Sequence, residues 1–503
     1  MKASYRAADS SYLGRRRLRR HARVWHLWAM GVGAVISGDF FGWNFGMAKG
    51  GFGGMFLAVT LMTAMYIGLC FSIAEMSPAL PHAGGAYSFA RTAMGHWGGY
   101  ITGLAENMEY ILTPAVIVVG IGGYLGAIFS TSAAWEPVWW LACYGVFVAL
   151  NVWGVEMTFD VSVVVTLVAL AVLAVFWIGA APHFDLARWA SPYFPHTSNK
   201  VSATLIQLPF ALWLYLGIEQ LPLAAEESHN PVEDMPRGIL YGLVTLIVAS
   251  FLTVVLSAGI APGASKVGVS NEPLFLGLQT IVGGGLRSRV FALLACAGLI
   301  ASFHTIIFAY GRQIYSLSRA GYFPTWLSET HGKRATPQRA LLAGSLLGFA
   351  VALVIHLTPQ GGPVGAVLLN MAVFGAVLAY LLQLASFILL RWRFPAMERP
   401  YVSPLGIIGA AIATIVAFAT LVVLFRNTDY NKGVIGAAIW LLLGIGYYAS
   451  YGRHRLVLAP EEAAALKHRG EPLPRWRGAG AKPPCSLVEV DGEPPLPEEH
   501  PRL

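Results

Sequence analysis

Four carboxylates, Asp39, Glu106, Glu109 and Glu219, stand inside stretches that are otherwise apolar. An acid held at the centre of a bilayer costs several kcal/mol unless something neutralises it, so such a residue reads first as a binding or proton-carrying group. Asp39 lies in Ile36-Ser-Gly-Asp-Phe-Phe-Gly-Trp-Asn-Phe-Gly46, where Ser37, Gly38 and Gly42 are positions that interrupt a helix. Glu219 ends Leu208-Pro-Phe-Ala-Leu-Trp-Leu-Tyr-Leu-Gly-Ile-Glu219, just after Gly217. Glu106 and Glu109 are spaced to share one helical face and to titrate as a coupled pair. Phe40, Phe41, Trp213 and Tyr215 flank the two glycine-bearing stretches, and an aromatic face holds an ammonium with about 0.5 to 2 kcal/mol. The chemistry these groups offer is recognition of a cationic or hydroxyl-bearing small molecule.

The elements that must position them are membrane spans. The chain has 503 residues, 56% hydrophobic and 12% charged, with mean hydropathy +0.59, against about 25% charged residues in ordinary soluble domains. That excludes a soluble multidomain enzyme. Apolar runs follow one another from Trp25 to Tyr451, and at about 20 residues per crossing they accommodate twelve helices. The expected spans are 26 to 49, 54 to 77, 98 to 129, 137 to 154, 160 to 181, 203 to 227, 238 to 260, 288 to 317, 339 to 357, 364 to 392, 404 to 426 and 433 to 451. The fold class is therefore an all-α polytopic membrane protein. Its divisions are a basic segment 1–25, a transporter domain 26–451 and a largely disordered tail 452–503 with one short helix.

The first and sixth spans are predicted to be broken, at Ser37 to Gly42 and at Tyr215 to Gly217. Unwound backbone at membrane depth persists only where it is buried in protein or lines a cavity. Breaks at corresponding places in two halves point to an inverted-repeat transporter with a midplane site. The alternative is that these glycines only let helices pack closely.

The formal charge of +8 belongs to span ends, with Arg15, Arg16, Arg17, Arg19, Arg20 and Arg23 just before the first span. Alternating through twelve spans puts roughly 26 Lys and Arg on the side of the termini and roughly 8 on the other, which predicts both termini in the cytoplasm and no nucleic-acid role. Met1 to Arg23 is polar and has no signal-peptide pattern. Cys70, Cys143, Cys296 and Cys485 are isolated and read as packing residues, and no group is spaced as metal ligands.

In these residues the chain resembles the amino acid, polyamine and organocation transporter superfamily, from about Val24 to Tyr451. Glu75-Met-Ser-Pro-Ala-Leu-Pro-His-Ala-Gly-Gly-Ala-Tyr87 is similar to the superfamily's stretch after the second helix, and Trp213-x-Tyr-x-Gly-x-Glu219 to its sixth-helix motif. Glu226-Glu227, Asn230-Pro231, Pro236-Arg237, Arg312, Tyr315, Arg319 and Gly321-Tyr-Phe-Pro324 are similar to its loops after helices six and eight. The run around Asp39 most resembles the ethanolamine permease family. The resemblance implies a leucine-transporter-like, inverted five-plus-five core with two additional helices, and alternating access to one central site.

Amino acid members of the superfamily carry Gly-x-Gly where this chain has Ser37-Gly38-Asp39. A substrate carboxylate would meet Asp39 at that break and be repelled, whereas an ammonium would neutralise it. The expected activity is import of ethanolamine or a similar small amine across a bacterial-type inner membrane. Alternatives are an amino acid or polyamine permease and a transporter-like sensor; no enzyme is expected. The expected substrate-binding residues are Ser37, Gly38, Asp39, Phe40, Phe41, Glu109, Trp213, Tyr215 and Gly217. Asp39 is also suited to capping the second half-helix. Glu106 and Glu219 are assigned to gating or proton coupling; the alternatives are hydration of Glu106 near the membrane surface and a structural hydrogen bond from Glu219 to unwound backbone. Ser302 and Thr305 offer hydroxyls to a coupling ion, and His304 reads as packing. No cofactor is expected beyond a coupling ion, H+ or Na+, and the partners are the small amine and the lipid bilayer.

Overall fold

In the computed structural model, which describes residues 3–6, 10–195, 199–270, 272–283, 286–358, 364–426 and 431–471, the chain is a bundle of twelve spans. The first is broken into Val24–Val35 and the turn Ser37–Phe40, and after Phe41 and Gly42 the chain re-enters a helical path at Trp43–Gly46. The second runs over Met47–Ala79, the third over Ala86–Phe129, the fourth over Glu136–Trp153 and the fifth over Val155–Ala180. The sixth is a chain of short pieces, Lys200–Leu205, Leu208–Ala211, Leu212–Leu214 and Ile218–Glu227, and its interruption falls at Tyr215 to Gly217. Pro231–Ala258, Leu286–Arg319, Gln338–Leu357, Val364–Arg393, Gly406–Arg426 and Asn431–Ser450 complete the set.

Ten of these stretches are long and apolar enough to cross a membrane by themselves. The first misses because its uninterrupted helix stops at Val35. Leu286–Arg319, the other, has 34 residues, which at 1.5 Å each exceeds a hydrocarbon core about 30 Å thick. Within Ala86–Phe129 the backbone leaves helical geometry at Gly95, so the long helix of the third span starts close to the expected 98 and a shorter helix precedes it.

The third span is the hub, packed on the tenth and eighth, while the seventh covers the first and second. Its apolar stretch is 83% buried, against 17% for the twelfth. Ile408, Ile415, Leu442 and Leu443 stand on outer faces of the last two spans, suited to lipid rather than to water. The first and sixth spans meet at their breaks. A Cβ on Gly38 would lie 2.3 Å from the Trp213 carbonyl oxygen, so only glycine allows this approach. Gly217 has φ +113°, a conformation that glycine enters without steric cost and that takes the chain out of helical geometry between Leu212–Leu214 and Ile218–Glu227.

The first and last described segments lie on one face of the bundle, where β1 (Tyr5–Arg6) pairs in parallel with β2 (Leu456–Val457). Pro460–His468 is the short helix expected in the tail. Residues 472–503, including Cys485, lie outside the described part of the chain.

Candidate substrate site

At the first break five backbone N–H groups are already engaged. Those of Ile36, Asp39 and Phe41 donate to the carbonyls of Val32, Ile36 and Ser37 at 2.9, 3.0 and 3.0 Å. Ser37 N–H donates to Ser302 Oγ at 2.9 Å, and Gly42 N–H to Asn44 Oδ1 at 3.2 Å. The sixth break is similar: Tyr215 and Leu216 both donate to the Leu212 carbonyl, and Gly217 N–H donates to Glu219 Oε2 at 3.0 Å. Glu219 thus makes the structural bond that its spacing allows, to the unwound backbone beside it.

Asp39 is different. Its side chain is 0% exposed and neither carboxylate oxygen has a hydrogen-bond partner among the described residues, so it does not cap a helix end. It lies beside Thr253 of the seventh span and near Tyr215. The break therefore presents a buried carboxyl group without a hydrogen-bond partner, and five of its neighbouring backbone donors are occupied.

Glu109 is also buried with both oxygens unpartnered. It lies against Glu219, with Tyr380 adjacent. The expected Glu106–Glu109 pairing gives way to this one, because Glu106 is turned to amides from two other spans. It accepts from Gln313 Nε2 at 2.7 Å and Gln383 Nε2 at 3.4 Å, and from the Tyr110 hydroxyl at 3.4 Å, and it is buried rather than hydrated. Two carboxyl groups in contact are satisfied only when one carries a proton. A tyrosine series leads away from them: Tyr380 and Tyr66 share a 3.0 Å hydrogen bond, Tyr66 stacks on Tyr215 at 5.1 Å, and the Tyr215 hydroxyl meets Thr63 Oγ1 at 2.6 Å.

The aromatics pack the breaks closely. Trp213 covers Gly42, Phe40 fills the space over Gly298, and Phe41 lies edge-on to Phe45 beside Gly120. None of the expected site side chains exceeds 6% exposure, so this conformation is closed around the site.

Ser302 Oγ donates to the Gly33 carbonyl at 2.7 Å, and a Cβ on Gly33 would meet Thr166 Oγ1 at 2.5 Å and Thr305 Oγ1 at 3.2 Å. Hydroxyls and carbonyls of the first, fifth and eighth spans thus gather at one point, the oxygen donor type that hard cations take. His304 is satisfied by the Thr158 carbonyl at 3.1 Å and the Asn151 side-chain amide at 3.2 Å, a packing role.

Sequence reading missed Tyr66, Tyr380, Gln313 and Gln383. Gln313 and Gln383 carry a legible signal, an amide inside an apolar span; tyrosines in such spans are too common at interfaces to stand out. His21, His26 and Asp160 also cluster. His26 Nδ1 accepts from Arg23 N–H at 3.2 Å, which leaves the proton on Nε2, directed at Asp160 3.6 Å away. His21 Nε2 lies 3.8 Å from the same carboxylate, and a metal on His26 Nε2 would have to displace the proton. An open groove of about 730 Å³, lined by Arg23, Trp25, Trp28, His229, Asp234 and Tyr241, lies on the termini face away from both breaks.

The loop motifs form an ion-pair network on that face. Arg312 donates to both oxygens of Glu227 at 2.8 and 3.2 Å, and Arg319 to both of Glu226 at 2.6 and 2.8 Å. Tyr315 donates to the Arg16 carbonyl at 2.6 Å, and the His21 and Ala22 N–H groups donate to the Glu227 carbonyl.

Comparison with known proteins places this arrangement. A family model described as amino acid permease matches residues 26–459. An uncharacterized transporter of Rhizobium meliloti is 30% identical over 75% of this chain and 81% of its own length. The branched-chain amino acid permease BcaP of Bacillus subtilis is 24% identical over 88% and 94%. The D-serine/D-alanine/glycine transporter of Escherichia coli is 21% identical over 71% and 78%.

Proposed function

The chain belongs to the amino acid permease family and is a multi-pass membrane transporter for amino acids or similar substrates, and we propose that its own substrate is ethanolamine or a similar small amine lacking a carboxylate. One observation carries this reading: Asp39, fully buried at the first break with two unpartnered oxygens, amid five backbone donors engaged elsewhere. An ammonium supplies the donors and the charge that Asp39 lacks. A substrate carboxylate would find a repelling acid and few free N–H groups.

The Glu109–Glu219 contact supports proton coupling. A proton held between the two is released when the sixth span rearranges and separates them, since each carboxyl then titrates alone. The arginine run before the first span supports a cytoplasmic side for the termini, and on that orientation the closed termini face is the inner gate, whose opening releases the substrate. A second reading, an amino acid permease proper, is favoured by the relatives, whose names state amino acid substrates.

The test is uptake of labelled ethanolamine into proteoliposomes of purified protein, with and without an inward-directed proton gradient. Saturable uptake that the gradient makes concentrative is expected; uptake no faster than into empty liposomes would refute the reading.

A further inference from the structure

The last described segment of the chain is built into the bundle instead of trailing from it. Leu456, Leu458, Ala459, Glu461, Glu462, Ala465 and Leu466 are all at most 3% exposed. Two adjacent glutamates at the start of the helix Pro460–His468 are among the most deeply buried acids of the chain, and each ends on a different span. Glu462 accepts from Arg91 Nε at 2.7 Å and from the hydroxyls of Tyr322, Tyr5 and Tyr87 at 2.8, 3.0 and 3.1 Å. Arg91 belongs to the third span. Glu461 accepts from Arg319 Nη2 at 2.9 Å and Ser316 Oγ at 3.2 Å, at the end of the eighth.

Arg319 is shared. Its guanidinium also holds Glu226, on the second half of the broken sixth span. The C-terminal helix, the eighth span and the second half of the sixth are therefore joined through one cation, and Arg91 ties the same helix to the third span. The backbone reinforces the joint: Val457 N–H donates to the Ala320 carbonyl at 2.8 Å, and Arg469 reaches the Thr92 and Ala93 carbonyls at 3.2 and 3.3 Å. Gly321, at φ +81°, approaches so closely that a Cβ there would lie 2.4 Å from the Arg455 carbonyl oxygen. β1 adds the N-terminal segment to the same block.

We propose that residues 456–469 are a latch on the termini-side gate, with the surface formed by Arg91, Tyr87, Ser316, Arg319 and Tyr322 as its receptor and the chain's own C-terminal helix as its partner. Docking keeps Arg319 desolvated and aimed at Glu226, which holds the sixth-span half-helix closed. Undocking hydrates Arg319, weakens that pair by admitting high-dielectric solvent, and raises the population open on this face. The helix thus sets the resting gate equilibrium, a coupling between two sites in the thermodynamic sense. No assumption about the substrate enters.

The experiment measures maleimide labelling of Ala225→Cys, in a background with the four native cysteines replaced by alanine, on substrate-free protein in lipid nanodiscs. Ala225 is 2% exposed and lies next to Glu226. Three chains are compared with the full-length parent: truncation after Arg455, truncation after Glu471 and full-length Glu462→Gln. Truncation after Arg455 and Glu462→Gln are expected to raise the labelling rate at least about fivefold, the lower end of typical coupling, while truncation after Glu471 leaves it unchanged. Rates within about twofold of the parent in the first two chains, with monodisperse protein, would overturn the latch. So would an equal rise after the Glu471 truncation. Should the first two chains not fold, Tyr322→Phe, which removes one hydrogen bond to Glu462, decides in their place: a rise of at least about threefold supports the proposal and no rise overturns it.

Discussion

Replacing Asp39 with asparagine keeps the shape of the first break and removes the group that can carry a negative charge there. In the substrate-free protein both Asp39 oxygens are buried and without partners, so the exchange removes a desolvated acid and the folded state loses nothing. The melting temperature is expected to stay level or rise. With substrate the balance reverses. At about 4 Å and an effective dielectric near 20, an ammonium gains about 4 kcal/mol from the carboxylate, and a charged hydrogen bond is worth at least about 1.5 kcal/mol net. At 1.4 kcal/mol per decade these bounds predict an ethanolamine affinity about 10 to 1000 times weaker in Asp39→Asn. The assay is ligand-dependent thermal stabilisation. Ethanolamine at a hundred times its dissociation constant for the parent protein should stabilise the parent by about 2.7 kcal/mol and the variant by about 1.4 kcal/mol or less. Equal stabilisation of both proteins would refute the assignment of Asp39 as the amine's partner.

Glu109→Gln removes one member of the acid pair beside Glu219; gradient-driven accumulation should be lost while exchange of labelled for unlabelled ethanolamine persists, and accumulation at the parent's level would count against proton coupling there. Gly38→Ala places a methyl 2.3 Å from the Trp213 carbonyl; forcing the two breaks apart should cost about 1 to 3 kcal/mol and reduce uptake at least about tenfold, read by melting and by initial rates. Ser302→Ala strips the acceptor from Ser37 N–H and the donor from the Gly33 carbonyl; leaving buried backbone groups unpaired should destabilise by about 1 to 3 kcal/mol, visible as a lower melting temperature than that of Ser386→Ala, whose hydroxyl serves only a carbonyl of its own helix.

Much of this arrangement is legible in the sequence because membrane helices obey two strong rules, length and internal backbone satisfaction. The twelve spans follow from the first rule, and the breaks at Ser37 to Gly42 and Tyr215 to Gly217 from the second, since glycine and acids at mid-depth have few other reasons to occur. Partner choice between spans is another matter. Glu109 faces Glu219 rather than Glu106 because the glutamines at 313 and 383 claim Glu106, and rotation of one helix against another leaves no trace in hydropathy. Glu461 and Glu462 were hidden for a different reason. On a polar, proline-bearing tail, two glutamates read as solvated charges, and only the pocket formed by Arg91, Arg319 and three tyrosines reveals them as buried anchors.

On the proposed reading, this permease selects an ammonium and has no place for a carboxylate beside it. Serine is ethanolamine with a carboxylate added, so the most direct measurement is initial uptake of labelled ethanolamine by proteoliposomes against excess unlabelled ethanolamine or excess unlabelled serine. Strong inhibition by ethanolamine with little by serine is the predicted result. Equal inhibition by serine would contradict it and return the protein to the amino acid carriers that its relatives are named for.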